Sequence, residues 1–474
     1  MSKNPYRQER EELKNLLQQL QNLKDGKPNS FIEEDGFERI VEHLEDIEAY
    51  NEALEACKLA INQYPYSSGL LLTLGNILII LKKYKQALQV LEQSELLDST
   101  DTNLYILKTD VYLALDQQEK AAVLLENAIL YFEGEEKTDL LFELADVYDD
   151  YENFEKVFDC FLEILKLDPN NEEALYKICF WTDFTGRNDE SIKLHQGIIE
   201  AYPFNELAWF NLGAAYQGLK LHEKAIDAYQ YATAINEKFD FAYRNMADAY
   251  IRLRKYKEAI ECMEKVMELA RPEGVVYEAI GHCYDKLANY AQARFYYKKA
   301  SHLNAEDSQL YYKIACTYMN EAAWQSAIKL LLTATRMFKM QPEYNLALGQ
   351  CYMQLNNIEE AITYFGNVVR VRPKNISGWT ELLKCMLVAG MIEEGKEYAE
   401  FALEQTDHKP LFYYYKSMFL FADGKHKEAA LQLENGMIAN PRLVKKFIEL
   451  NPSILQHPAV VEIIARYKKK KTIR

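Results

Sequence analysis

The chain has 474 residues, is 49% hydrophobic and carries a formal net charge of −17. No stretch approaches the ~18 consecutive apolar residues that a membrane-spanning helix needs, and the opening MSKNPYRQEREE lacks the apolar core of a secretory leader. A cytoplasmic location is therefore expected, and the acidic balance argues against nucleic acid as a partner.

Residues 7–24 place Leu13, Leu16, Leu17, Leu20 and Leu23 at helical spacing. The stripe is read as a helix covering the exposed face of the first structural unit after it. A coiled-coil contact between chains is the alternative, but the stripe runs for fewer than three heptads.

From residue 34 a period of 34 residues takes over. Trp209, Leu212, Gly213, Tyr216, Ala225, Tyr229 and Ala232 make one unit. One period later Tyr243, Met246, Ala247, Tyr250, Ala259, Met263 and Val266 fill the same places, then Tyr277, Ile280, Gly281, Tyr284, Ala293, Tyr297 and Ala300. Unit starts fall at 34, 68 and 102, and, after a two-residue insertion near Gly134–Lys137, at 138, 172, 206, 240, 274, 308, 342, 376 and 410. Such a fixed period marks a stacked array of helix pairs. A small residue in the eighth place (Gly75, Ala145, Gly213, Gly281, Ala315, Gly349) and usually alanine in the twentieth (Ala53, Ala87, Ala121, Ala225, Ala293, Ala361) let the two helices approach closely. Pro65, Pro169, Pro203 and Pro373 end second helices. The unit from 172, with Cys179, Thr182, Ser191 and His195, and the unit from 376, with Leu383 and Gly395, depart from the pattern. Looser or bent stacking is expected at both.

Beyond the array, Asn451–Pro452 and His457–Pro458 punctuate the chain before Val460, Val461, Ile463 and Ile464. This reads as a closing amphipathic helix. Its lysine run at 468–471 is read as a solvated helix end that suits the helix dipole. Docking of this tail into an acidic groove, of the same or another chain, is the alternative.

The order large, apolar, small, Tyr, Ala, aromatic, Ala resembles the tetratricopeptide repeat, and the resemblance covers most of the chain. It implies an all-α, right-handed superhelical solenoid of stacked helix-turn-helix hairpins with terminal capping helices. The implied organisation is an N-terminal cap and linker over 1–33, about twelve units over 34–443, and a closing helix with a basic tail over 444–474. It also implies a concave groove lined by the first helix of each unit. The second, fifth, sixth, ninth, twelfth and thirteenth places would face that groove.

The charge is uneven. Residues 1–200 hold 19 basic and 41 acidic side chains, whereas the remainder holds 36 basic and 31 acidic. In the implied frame Glu42, Glu45 and Asp46 take the ninth, twelfth and thirteenth places of the first unit, and Asp146, Asp149 and Asp150 take them in the fourth. Asp110 and Asp183 add single acids. These eight carboxylates are expected to line the N-terminal half of the groove and attract a basic protein or peptide. A solvated acidic surface is the plainer alternative. A calcium site at Asp146, Asp149 and Asp150 lacks the loop and ligand spacing of such motifs.

Further along, Asn211 and Asn245 take the sixth place of adjacent units, with Phe210, Phe241 and Arg244 nearby. An amide offers a donor and an acceptor and can hold a peptide bond at both ends, as in the asparagine row of the O-GlcNAc transferase repeat region. Here the row has two rungs, since Lys177 precedes and Ala279 follows. Structural polar residues are the alternative. The two-carboxylate clamp of chaperone-binding family members is not matched, because Tyr176 and Phe180 precede Asn211, and Phe241 and Asn245 follow it, where the clamp needs Lys, Asn and Arg.

The eight cysteines form no C-x-x-C pair and are read as small buried hydrophobes. The histidines are scattered, and no metalloprotease, P-loop, dinucleotide or nucleophile-elbow motif occurs. His282 and Cys283 are neighbours on a helix and point about 100° apart. No catalytic residue, cofactor or metal is expected. The expected function is a non-catalytic scaffold that binds a protein or peptide in its groove, with the N-terminal half favouring basic partners. Self-association through the terminal helices or tail is the alternative.

Overall fold

The computed structural model describes the backbone of residues 5–27, 31–271 and 273–471 and the side chains of 10–27, 31–271 and 273–467. The side chains of the lysine run at 468–471 thus lie outside the described residues. Among the described residues the fold is all-α, a helical repeat solenoid divided into two compact units, Met1–Ala249 and Tyr250–Arg474.

The first unit contains α1 (Pro5–Lys24), α2 (Glu34–Asp46), α3 (Tyr50–Gln63), α4 (Ser68–Ile80), α5 (Tyr84–Leu97), α6 (Thr102–Ala114), α7 (Gln118–Ala128), α8 (Gly134–Asp150), α9 (Phe154–Leu167), α10 (Glu172–Thr185), α11 (Asn188–Ala201), α12 (Glu206–Gly218) and α13 (His222–Ile235). Helix α14 (Asp240–Arg252) crosses the division. The second unit continues with α15 (Tyr256–Leu269), α16 (Gly274–Lys286), α17 (Tyr290–Leu303), α18 (Ser308–Asn320), α19 (Trp324–Met337), α20 (Pro342–Gln354), α21 (Ile358–Val371), α22 (Ile376–Ala389), α23 (Ile392–Gln405), α24 (Pro410–Ala422), α25 (His426–Ala439), α26 (Val444–Leu450) and α27 (Pro458–Lys471).

First helices begin at the residue the 34-residue count gives, and second helices begin sixteen residues later. The one exception is instructive. The two-residue insertion is absorbed by a short α7 and by an extra turn at the start of α8. Asn and Asp side chains cap several first helices, for example Asn171 onto the Ala174 amide and Asn205 onto the Ala208 amide. The turn inside each pair is a single left-handed residue in the fifteenth place. It is Gly186, Gly390 or Gly424 in three units, but Glu48, Lys82, Asp116, Glu152, Lys220, Arg254, Ala288, Ala322 or Asn356 in nine, with φ between 55° and 61°. Non-glycine residues there carry a strain of about 1–2 kcal/mol each, which the packing on either side outweighs.

The core of the first unit runs unbroken from Leu20 to Ala242. Helix α1 buries Leu20 and packs Leu16, Leu17 and Leu23 against the first hairpin, and the pairs Lys24–Glu55 and Arg39–Glu12 tie its surface down. In the second unit, Val460, Ile463 and Ile464 of α27 enter a core with Tyr414, Met418 and Phe447. The closing segment is more than the single helix expected. Two 3-10 turns, Pro441–Leu443 and Pro452–Gln456, and the short α26 precede α27.

The close approach of paired helices has one recurring source. A ring or branched side chain in the twenty-fourth place lies over a glycine in the eighth. A Cβ on Gly213 would stand 2.6 Å from the Tyr229 ring, one on Gly281 2.7 Å from Tyr297, one on Gly349 2.5 Å from Phe365, and one on Gly75 2.6 Å from Leu91. In the unit from 172 the combination is Cys179 with His195, and α10 and α11 are spread apart while α10 leans on α12. In the unit from 376, Leu383 fills the eighth place and Phe419 of the next helix enters over Gly395 instead.

Gly213→Ala is expected to lower unfolding stability by about 1–3 kcal/mol through overpacking against Tyr229. Gly197→Ala, where nothing lies within 4 Å of the new Cβ, should raise it by about 0.5–1 kcal/mol through helix propensity. Urea unfolding of the two variants, monitored by circular dichroism, checks the opposite signs.

Candidate partner-binding site

The first helices of the N-terminal unit carry the acids, and the structure sorts them into two groups. Glu42 and Glu45 of α2 line a cavity of about 550 Å³ with Val41, Leu72, Thr73, Asn76 and Ile106. Glu38, in the fifth place, lines it too. Burial raises the Glu38 carboxyl above its ordinary value, with Asp35 and Glu34 adding to the effect. Burial also raises Glu45, an effect opposed by a 3.4 Å hydrogen bond that the Asn76 amide donates. Asp46 stands outside the cavity lining, exposed beside Glu45.

The second group joins α6 and α8. Glu143 lies with Asp110 on one side and Asp146 on the other, and burial together with these two charges pushes its carboxyl up to about 7. Burial raises Asp110 and Asp146 as well. Asp149 and Asp150 are exposed one turn further on. Between the two groups, α4 presents Leu72, Thr73 and Asn76 rather than carboxylates. Asp183 is exposed on α10. The Lys177 ammonium sits 2.9 Å from Glu173 and 4.0 Å from Asp146, above the Phe142 ring. The eight acids therefore do not form one continuous row.

Several of the residues expected to grip a peptide further along have partners within the fold. Asn211 is buried and its amide donates to the Leu175 carbonyl at 2.7 Å and to His195 Nε2 at 3.2 Å. His195 is fully buried, donates from Nδ1 to the Ser191 carbonyl at 2.7 Å, and is held neutral with its pKa depressed to about 4 by burial. Asn245 bonds the Tyr229 hydroxyl, which in turn donates to Gln217 at 3.1 Å. Arg244 pairs with Asp240 at 3.3 Å, and Phe210 packs on Tyr229 and Phe239. Of this set Phe241 remains exposed.

One register explains these placements. The sixth place of a unit lies over the twenty-fourth place of the unit before it: Asn211 over His195, Asn245 over Tyr229, and Lys177 over Phe161. Glu143 holds the same place, where the preceding residue is the buried Leu125, which offers no hydrogen bond. Glu38 and Glu143 are marked in the sequence by the fifth and sixth places, which face the same groove as the ninth, twelfth and thirteenth.

Among the described residues no group of three or more His, Cys, Asp or Glu side chains is arranged to hold a metal ion. The eight cysteines are free thiols, and burial pushes Cys57, Cys160, Cys179, Cys262, Cys351 and Cys385 up to about 12, so they are inert as nucleophiles.

Family models for the tetratricopeptide repeat match residues 68–101, 342–375 and 184–238, and the model for the C-terminal ARM domain of tetratricopeptide repeat protein 21 matches residues 214–347. The first two spans coincide with units of the 34-residue count. The chain is a tetratricopeptide-repeat protein. No curated protein matches it. Among solved structures it is similar to the C-terminal part of a repeat protein from Cytophaga hutchinsonii, at 18% identity over 51% of this chain and 99% of that one, with a TM-score of 0.45. It is also similar to YrrB, described as a repeat protein with an unusual peptide-binding site, at 20% identity over 39% of this chain and 95% of that one, with a TM-score of 0.35. A third similarity is to the Cut9–Hcn1 hetero-tetramer of the APC/C, at 12% identity over 84% of this chain and 97% of that one, with a TM-score of 0.35.

Asn211→Ala leaves the Leu175 carbonyl and His195 Nε2 without their partner, and should cost about 1–3 kcal/mol of stability in urea unfolding. For Glu143, the folded pKa of about 7 lies above the ordinary 4.5. Its favourable contribution is thus complete below pH ~4.5 and is lost as pH rises through ~7. Glu143→Gln should stabilise the protein above pH 7 by about 1 kcal/mol, after allowance for solvent screening, and leave it unchanged near pH 4. Thermal melts across that range read the difference.

Proposed function

We propose that the chain is a non-catalytic scaffold that binds a basic segment of a partner protein on the acidic face of its N-terminal unit. The observation that carries this reading is the Asp110–Glu143–Asp146 group. Three carboxylates from two successive helix pairs are gathered on one face; burial raises all three, and the charges of Asp110 and Asp146 raise Glu143 further. Such an arrangement is unfavourable for the isolated fold and is relieved by an incoming cation. The Glu38–Glu42–Glu45 cavity supports the same reading two units away. A face of this sign disfavours nucleic acid.

Self-association through the terminal helices finds less support. The leucine stripe of α1 packs on the first hairpin, and Val460, Ile463 and Ile464 of α27 pack on the core of the second unit. A cytoplasmic setting belongs to the proposal, since eight free thiols suit a reducing compartment. No helix among the described residues is long and apolar enough to cross a membrane.

The test is fluorescence anisotropy with a labelled lysine–alanine octapeptide and the full chain. Binding should weaken as salt rises and fall by at least about tenfold when Glu42, Glu45, Asp146 and Asp149 are all changed to Lys. Affinity should also strengthen as pH rises through ~7, where Glu143 ionises. Salt-insensitive binding that survives the four substitutions would refute the proposal.

A further inference from the structure

Helix α10 carries a feature that neither its packing nor the acidic face accounts for. Tyr176, Phe180 and Phe184 succeed one another at four-residue spacing along one side, and are 62%, 61% and 57% exposed. The core side of α10 is already filled by Ala174, Leu175, Ile178, Trp181 and Thr182. Rings at the contact between paired helices, by contrast, are buried completely, as at Tyr229 and Phe365. Three large rings in a row, each more than half exposed, present an apolar patch to water.

Two of the three rings are held by ring neighbours. Phe184 meets Phe154 edge-on at 4.7 Å, and Phe180 lies 6.0 Å from Phe184 with the two planes 24° apart. Phe180 also abuts Trp181 at 5.0 Å. Carboxylates lie on the same helix and on the one before it: exposed Asp183 directly precedes Phe184, and Asp146 of α8 reaches α10 through Lys177 at 4.0 Å. The same region already shows how it receives a cation. Lys177 lies over the Phe142 ring while pairing with Glu173, and the Arg187 guanidinium stacks 4.2 Å above the Phe158 ring while bonding Asp159 at 2.7 Å and Glu190 at 2.6 Å.

We propose that Tyr176, Phe180 and Phe184, with Asp183 and Asp146, form a receiving face for arginine side chains of a partner protein segment. The proposal rests on the acidic-face reading above and sharpens its chemistry from basic to arginine-bearing. A planar guanidinium covers a ring and still directs its N–H groups at a carboxylate beside it, whereas a compact, strongly hydrated ammonium gains less from the ring. Charge complementarity selects this occupant over an acidic segment or an anionic surface.

The experiment compares labelled arginine–alanine and lysine–alanine octapeptides by anisotropy on the full chain. Three proteins are compared: the unaltered chain, Phe180→Leu, and Asp146→Lys with Asp149→Lys. Phe180→Leu keeps an apolar side chain at this exposed position and removes the π face, and a thermal melt verifies that the fold is retained. The unaltered chain should bind the arginine peptide about tenfold more tightly than the lysine peptide. Phe180→Leu should bring the two close to parity by weakening the arginine peptide alone. Equal affinities in the unaltered chain, or a preference that survives Phe180→Leu, overturn the ring platform. If those equal affinities still collapse on reversal of Asp146 and Asp149, the acidic-face reading stands without it. Failure of both peptides to bind overturns both.

Discussion

In four of the helix pairs a side chain lies over a glycine on the neighbouring helix, and this contact sets how closely the two helices pack. Tyr229 over Gly213, Tyr297 over Gly281 and Phe365 over Gly349 bring two helix backbones as close as a ring's thickness allows. With the separation fixed, the rotation of the first helix is fixed as well, and so is the row of side chains it turns outward. The left-handed residue in the fifteenth place recurs in every unit, whether or not the ring contact is present. The turn is so short that even Lys220 and Ala288 are held at positive φ. Where the ring contact is replaced, the pair changes character. Cys179 and His195 spread α10 from α11, and a polar network of Ser191, His195 and Asn211 does the joining that a tyrosine does elsewhere.

That irregular pair sits where the functional features gather. On one side of it lie Asp110, Glu143 and Asp146, on it lie the three exposed rings, and Lys177 stands between. Each of these is unfavourable for folding on its own account: crowded carboxylates repel and lose hydration, and exposed rings order water. A stacked array tolerates such local losses because its stability is spread over many nearest-neighbour interfaces. The regular pairs hold the scaffold, and the irregular one is free to carry chemistry that a partner can use. The inert, buried thiols and the neutral, enclosed His195 fit a protein whose chemistry is recognition.

The sequence made the array readable because a packing contact repeated every 34 residues leaves its trace at the same places each time. Glycine or alanine in the eighth place, alanine in the twentieth and an aromatic in the twenty-fourth mark which residues belong to the helix interface, and the count then places the helix starts. The insertion near Gly134 was visible as a break in phase, although its remedy, a shortened α7 and lengthened α8, was not. The terminal stripes of α1 and α27 were visible for the same reason: helical spacing of Leu, Val and Ile requires a face to bury.

The direction each polar side chain takes was decided by tertiary packing. Asn211 and Glu143 hold the same place in their units, yet one is buried and bonded and the other is left partly dehydrated with its carboxyl raised. The difference lies in the residue beneath, contributed by the preceding unit: His195 accepts a hydrogen bond, and Leu125 cannot. Sequence alone thus determined the class of fold, the phase of its units and the acidic bias of its first 200 residues. The structure decided which acids converge and which asparagines are spent on the scaffold. It also decided that Tyr176, Phe180 and Phe184 face water, because a period records what recurs within a unit, whereas exposure depends on what the neighbouring unit places against it.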